Sequence, residues 1–229
     1  MAQPLVRRFV QELMTVLELP DPVVEFGALQ VEADQDGDLR PLFAGRPYTG
    51  TDMRQGPGVD RVEDLRALSF GDGEVGTALC LDTLEHVEDP PQACRELARV
   101  TRPDGGVCVI ASVMLFGIHG YPNDYFRFTP EGFRSLLAGF DDVWVAGVGH
   151  PDIPINVVGV GVKGRTLDLD LGGFPSLVEA QRRMQGREGK VPVGVFNYPP
   201  RELLRAIGRE APRLVRERLS ARGATSRRG

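Results

Sequence analysis

Along residues 3–17, Val6, Val10, Leu13, Met14 and Leu17 recur at three- or four-residue spacing. That period puts them on one face of an amphipathic opening helix. Pro20 and Pro22 end it, because proline cannot continue a helix. The pattern then changes to short apolar runs. Val23-Val24-Glu25-Phe26-Gly27 reads as a buried strand closing on a glycine, and a polar stretch follows over 28–47 with a helical turn at Leu39–Phe43. Further strands are expected at Tyr48–Asp52, Val59–Leu65 and Val75–Leu81. Pro90-Pro91 opens a helix to about Val100, proline being suited to a first helical turn. The turn Pro103–Gly106 feeds Val107–Val113, the strongest strand signal in the chain. Thr129 and Pro130 supply an N-cap and first helical position for a helix through Ala138. Val143–Val148 and Ile155–Val162 are two last strands separated by a Gly-His-Pro loop.

Strands alternating with helices predict an α/β fold, a largely parallel sheet with helices on both faces. The runs number seven, and the last two have no helix between them, so they form an antiparallel pair at one edge. Residues 1–163 make this domain, and 164–229 read as a C-terminal extension. Within the extension Arg201, Arg205, Arg209 and Arg213 recur every four residues beside Leu203, Leu204, Ile207, Leu214 and Val215. An Arg-rich amphipathic helix is therefore expected at about 200–222, broken near Pro212. Its basic face is solvated or offers a contact for a partner, a membrane surface or a second copy.

Composition narrows the function classes. The 229 residues are 41% hydrophobic and 26% charged, an ordinary soluble globular balance. The formal net charge is −5 although residues 201–229 carry nine Arg and three Glu. The remainder is strongly acidic, which argues against nucleic-acid binding by the main body. Val107–Ile118, the longest apolar run, falls short of the ~20 residues a membrane span needs. Cys80, Cys94 and Cys108 show no CxxC spacing, so neither a disulfide framework nor a zinc ribbon is expected. With no secretory signal pattern at the N-terminus, the expected location is the cytoplasm.

Ligands of open α/β sheets bind at the carboxyl ends of the strands. Here those ends carry Glu25 and Gly27, Asp52, Asp64 and Asp82. An acid 25 residues beyond the first glycine suits a ribose diol, since one carboxylate accepts from both hydroxyls. A further acid after the third strand can accept from an exocyclic adenine amine. Together they describe an adenosine site.

On these residues the chain resembles the class I S-adenosylmethionine-dependent methyltransferases, most of all type 11 methyltransferase domains. The matching segments are Val23–Gly27, Tyr48–Met53, Val62–Leu65, Leu81–Val87, Arg99–Gly106 and Tyr121–Pro130. The resemblance covers about residues 20–163 and implies a Rossmann-like seven-stranded sheet with a terminal antiparallel edge hairpin. It implies S-adenosylmethionine as cofactor and a small-molecule acceptor, with O-methylation of a sugar or secondary metabolite as the expected reaction. By resemblance, Glu25 and Gly27 lie beside the cofactor's methionine moiety. Asp52 holds the ribose diol, with Met53 against the adenine. Asp64 faces the adenine amine and the Leu65 backbone a ring nitrogen, while Leu81 and Asp82 line the sulfonium end. The family's two further glycines after the first strand are here Leu29 and Val31. Either the loop takes another path, or the fold persists as a non-catalytic binding module.

His119 follows the central strand at the expected acceptor edge, and a neutral imidazole can take the proton an acceptor hydroxyl loses. It is the candidate base, with His150 a weaker one. Tyr121, Asp124, Tyr125 and Arg127 are candidates for the acceptor pocket; alternatively Asp124 and Arg127 pair to hold the loop. Asp82-x-x-Glu85-His86 offers carboxylate and imidazole donors of the kind magnesium or zinc accepts. The favoured reading has Glu85 capping the next helix and His86 packing beneath the cofactor loop, with no metal. Asp34-x-Asp36-x-Asp38 lacks the glycine and glutamate of a calcium loop.

Overall fold

The computed structural model describes residues 3–30, 37–120, 123–185, 191–193 and 196–198. They fall in two compact units, Met1–Met184 and Gln185–Gly229. The first unit is built on a seven-stranded sheet. Its strands are β1 (Val23–Phe26), β2 (Tyr48–Asp52), β3 (Arg61–Val62), β4 (Thr77–Leu81), β5 (Val107–Val113), β6 (Asp142–Gly149) and β7 (Pro154–Val162), and the order is β3-β2-β1-β4-β5-β7-β6. β1, β2, β3, β4 and β5 are parallel; β7 runs antiparallel to both β5 and β6. This is the expected Rossmann-like sheet with its terminal edge hairpin. The order reverses about β1 and β4, where a crevice opens at the strands' carboxyl ends.

Period-2 alternation sorts the side chains into two cores. Val24, Phe26, Ala78, Cys80, Cys108 and Ile110 point to one face, which is covered by α2 (Pro90–Val100) and α3 (Pro130–Leu136). Val23, Leu79, Leu81, Val107, Val109 and Ala111 point to the other, covered by α1 (Pro4–Val16) and α4 (Pro175–Gln185). α1 begins at a proline and buries Val6, Phe9, Val10 and Leu13. α2 is capped by Asp89, whose carboxylate accepts from the Gln92 amide at 3.0 Å. Thr129 caps α3 by accepting from the Gly132 amide at 3.1 Å. All three cysteines are buried and free.

Residues beyond Lys163 continue into the first unit. Phe174 and Leu177 are fully buried. Phe174 lies 5.1 Å from Phe9 and 4.9 Å from Trp144, ring centre to ring centre. Glu12 of α1 accepts from the Ser176 amide at 2.9 Å and its hydroxyl at 2.8 Å, tying α1 to the start of α4. In the second unit β8 (Val191–Val193) pairs antiparallel with β9 (Phe196–Tyr198). The Arg-rich helix expected at about 200–222 lies outside the described residues. Among the described residues no helix is long and apolar enough to cross a membrane.

The third strand is shorter than its apolar run suggested. Arg61 and Val62 are in register with β2, and on either side the Asp60 and Glu63 amides donate to its Gly50 and Asp52 carbonyls at 2.8 and 2.9 Å. The Asp60 carboxylate also accepts from the Gly50 amide at 2.8 Å, and that of Glu63 from the Ser69 amide at 2.9 Å.

Candidate functional site

A cavity of about 580 Å³ opens at the carboxyl ends of β1, β2 and β4. Gly27, Asp52, Met53, Asp64, Leu65, Asp82, His119 and Tyr125 all line it. Glu25, Leu81, Asp124, Arg127 and His150 do not. Glu25 and Leu81 point to the α1 face, one residue out of phase with the cavity. Glu25 is buried and accepts from the Tyr48 hydroxyl. Burial pushes its carboxyl up to about 6. Leu81 joins the apolar core beneath α1. Asp124 and Arg127 stand behind the cavity wall. Tyr121 lies outside the described residues.

Gly27 makes the turn out of β1. Its φ is +94°, and a Cβ there would lie 2.0 Å from the Thr83 hydroxyl oxygen. That hydroxyl is held by the Phe26 and Leu81 carbonyls at 3.2 and 2.9 Å. The chain then departs from the glycine-rich path of the resembling family. Gly27 and Ala28 both donate to the Thr51 carbonyl at 2.8 Å, and Gln30 donates to the Pro57 carbonyl at 2.9 Å. A Cβ on Gly58 would come within 2.5 Å of the Ala28 carbonyl oxygen, and one on Gly56 within 2.4 Å of Leu29. The close backbone approach that needs glycine has thus moved to the β2–β3 loop. Val31 lies outside the described residues.

The three strand-end acids differ in how they are held. Asp52 accepts from the Arg54 amide at 2.9 Å, which fixes the turn after β2. Asp64 accepts a fork from Arg66, Nε at 3.0 Å and Nη2 at 2.8 Å. The Arg66 hydrogen bonds hold the Asp64 carboxyl below the usual carboxylate range. Asp82 is the unusual one. Its φ is +49°, a left-handed conformation that costs a residue with a Cβ of order 1–3 kcal/mol. It is buried, and one carboxylate oxygen accepts from the Gln3 amide at 2.8 Å. The other, Oδ1, is buried with no hydrogen-bond partner among the described residues. Burial, then the like charge of Glu85, pushes this carboxyl up to about 7.

The opposite wall comes from the turn after β4 and the loop after β5. Glu85 is buried and accepts from the Ser112 hydroxyl at 2.7 Å. It does not cap α2; Asp89 does. The Glu85 carbonyl accepts from the Tyr125 amide at 2.8 Å, so the two segments are stitched together. His86 donates through Nδ1 to the Asn123 carbonyl at 2.6 Å. Burial lowers its pKa, favouring the neutral ring. His119 sits edge-on to both His86 and Phe116, at 4.8 and 5.0 Å between centres. Asp124 is the knot behind it. Its carboxylate takes Arg127 at 2.5 and 2.7 Å and the His119 amide at 2.8 Å. The Arg127 hydrogen bond holds the Asp124 carboxyl well below the usual range. Arg127 also donates to the Gly117 carbonyl at 2.9 Å. The Asp124–Arg127 pair therefore holds the loop. His150 is far along the chain in the β6–β7 turn, is absent from the lining, and accepts from the Asp152 amide at 3.2 Å.

Sequence reading missed Gln3, Glu63, Arg66, Thr83 and Phe116 of the lining. Arg66 carried a signal, an arginine two residues beyond an acid. Gln3 carried none, since its part is a backbone amide brought 79 residues along the chain to Asp82.

A family model described as a methyltransferase domain, Methyltransf_11, matches residues 49–109, which include β2, β3, β4 and α2. Among solved structures, a chain of the complex between the Haloferax volcanii Trm112 methyltransferase activator and the putative methyltransferase is similar. It has TM-score 0.50 and 18% identity over 69% of this chain and 90% of that one. The PH0226 protein from Pyrococcus horikoshii OT3 has TM-score 0.50 and 15% identity, over 69% and 89%. The CurJ carbon methyltransferase has TM-score 0.51 and 14% identity, over 69% of this chain and 54% of that one. At these identities the likeness shows the fold, that of class I methyltransferases, and the family match implies S-adenosylmethionine as the cofactor.

Proposed function

We propose that this chain, which has the fold of class I methyltransferases and matches the methyltransferase-domain model over residues 49–109, transfers the methyl group of S-adenosylmethionine to a small-molecule acceptor. The observation that carries the reading is the convergence of Asp52, Asp64 and Asp82 on one cavity at the carboxyl ends of a parallel sheet. Asp52 takes the ribose diol and Met53 lies along the adenine. Asp64, with the Leu65 backbone, meets the adenine edge. Asp82, whose Oδ1 has no hydrogen-bond partner among the described residues, faces the sulfonium end, where a cation offsets the cost of a buried carboxylate.

The sulfonium makes the methyl carbon electrophilic. The acceptor's lone pair displaces S-adenosylhomocysteine in line, and an acceptor hydroxyl gives up its proton. In the metal-free protein His119 takes that proton through Nε2, because Nδ1 is engaged by the Gly117 carbonyl at 3.1 Å. A base at this end favours an oxygen acceptor, on a sugar or secondary metabolite. Residues 1–163 supply the site. The remainder supplies packing through α4 and, beyond it, a contact for a second copy, and the cytoplasm is the proposed location.

Two observations favour a second reading, a non-catalytic binding module: Asp64 is already forked by Arg66, and Leu29 stands at a glycine position. Methyl-transfer assays with labelled S-adenosylmethionine across sugar and phenolic acceptors separate the two. Turnover supports the enzyme; cofactor binding without transfer to any acceptor supports the module.

A further inference from the structure

We propose that Glu85, His86 and His119 form a binding site for one divalent d-block cation of the zinc class. One donor atom of each lies within 4.8 Å of the other two. Glu85 and His86 come from the turn after β4, and His119 from the loop after β5, so two separate segments converge. Two imidazoles with one carboxylate suit zinc, cobalt or nickel better than magnesium, which prefers oxygen donors.

The surroundings of the three groups strengthen the case. A metal-binding histidine usually donates its second ring N–H to a carbonyl or carboxylate, which fixes its tautomer and orientation. Both histidines do so here: His86 Nδ1 reaches the Asn123 carbonyl at 2.6 Å, and His119 Nδ1 the Gly117 carbonyl at 3.1 Å. Carbonyls only accept, so both Nδ1 atoms carry protons and both Nε2 lone pairs are left for an ion. Ser112 orients the Glu85 carboxylate at 2.7 Å. Asp82, buried and with Oδ1 unpartnered among the described residues, lines the same cavity. Zinc holds its ligands at about 2.0–2.2 Å, which places tetrahedral donors roughly 3.4 Å apart. The present spacing closes to that by about an ångström of side-chain movement. All three residues line the cavity, so a ligand within it can supply a fourth donor, as in sites that bind a reacting ligand.

This site does not depend on methyl transfer. Ion binding and proton uptake use the same His119 nitrogen, so metal-loaded and metal-free protein present different groups to the acceptor. The test is calorimetric titration of zinc into the chelator-treated, untagged full chain without S-adenosylmethionine, with cobalt absorption reporting ligand geometry. One ion per chain and a tetrahedral cobalt spectrum are expected. Glu85→Gln, His86→Gln and His119→Gln should each weaken binding at least about tenfold, and Ser112→Ala by about tenfold. His150→Gln should leave it unchanged. Zinc should raise the melting temperature of the parent and not of His119→Gln, which separates lost ligation from lost folding. No uptake, or uptake equally strong in His86→Gln and His119→Gln, would overturn the site. Equal loss in His150→Gln would do the same.

Discussion

The two walls of the cavity are built differently. The strand-end wall places Gly27, Asp52 and Asp82 within or just beyond strands of the sheet, of which β1 and β4 are buried throughout and β2 in part. Each acid there keeps its place by backbone hydrogen bonds. The loop wall, from Phe116 to Tyr125, has no regular element among its described residues and exposes Phe116 at 54% and Ile118 at 95%. Asp124 and the arginine it pairs with hold it from behind, and the Glu85 carbonyl and His86 Nδ1 tie it to the turn after β4 through the Tyr125 amide and the Asn123 carbonyl. The first wall inherits its geometry from the sheet and so suits a fixed cofactor. The second is set by local polar contacts and so suits an acceptor that differs between relatives of one fold.

The largest expected effect lies on the loop wall. His119→Ala should lower the single-turnover methyl-transfer rate of metal-free protein ~10²–10⁴-fold while cofactor affinity changes little. A parent-like rate would remove the base from this wall. Next comes the strand-end wall's turn. Gly27→Ala adds a Cβ at 2.0 Å from the Thr83 hydroxyl on a positive φ. Denaturant unfolding should show a loss of about 2–4 kcal/mol. A near-neutral result would mean that Thr83 swings away and the turn is looser than described.

A smaller effect concerns Asp82, and its sign follows from the raised carboxyl. The folded protein favours the neutral acid up to about 7, against an ordinary value of 3.8. Its contribution to stability is therefore full below the unfolded value and is lost as pH rises through about 7. Asp82→Asn should flatten that decline in urea unfolding measured between pH 5 and 8. A cationic sulfonium favours the ionised form, so S-adenosylmethionine should bind more tightly at pH 8 than at pH 6, by up to about tenfold. S-adenosylhomocysteine, which lacks the sulfonium charge, should show less of this dependence. Equal dependence for both ligands would move Asp82 away from the sulfonium.

The same contrast explains what the sequence revealed. Strand and helix positions followed from apolar periodicity, because each face of the sheet must be covered. Asp52 and Asp64 were legible because they end such runs. Glu25 was misplaced because strand alternation, not adjacency to Gly27, decides which way its side chain points. The detour after β1 was not legible: Leu29 is accommodated by Gly56, and Ala28 by Gly58, across a different loop. The loop wall was legible as residue types only. Asp124, Arg127 and His119 were flagged together, yet only the folded loop shows that the first two hold the third. The Glu85–His86–His119 cluster joins segments more than thirty residues apart, which spacing alone does not bring together.

The central claim is that the strand-end acids hold an adenosine cofactor. Its most direct test is calorimetric titration of S-adenosylhomocysteine into the full chain and into Asp52→Ala, with NAD as a control. Binding to the parent, no comparable binding of NAD, and a loss of roughly 1.5–3 kcal/mol in the folded variant are expected for a charged hydrogen-bonding group. No binding by the parent, or equal affinity in the two proteins, would contradict the assignment.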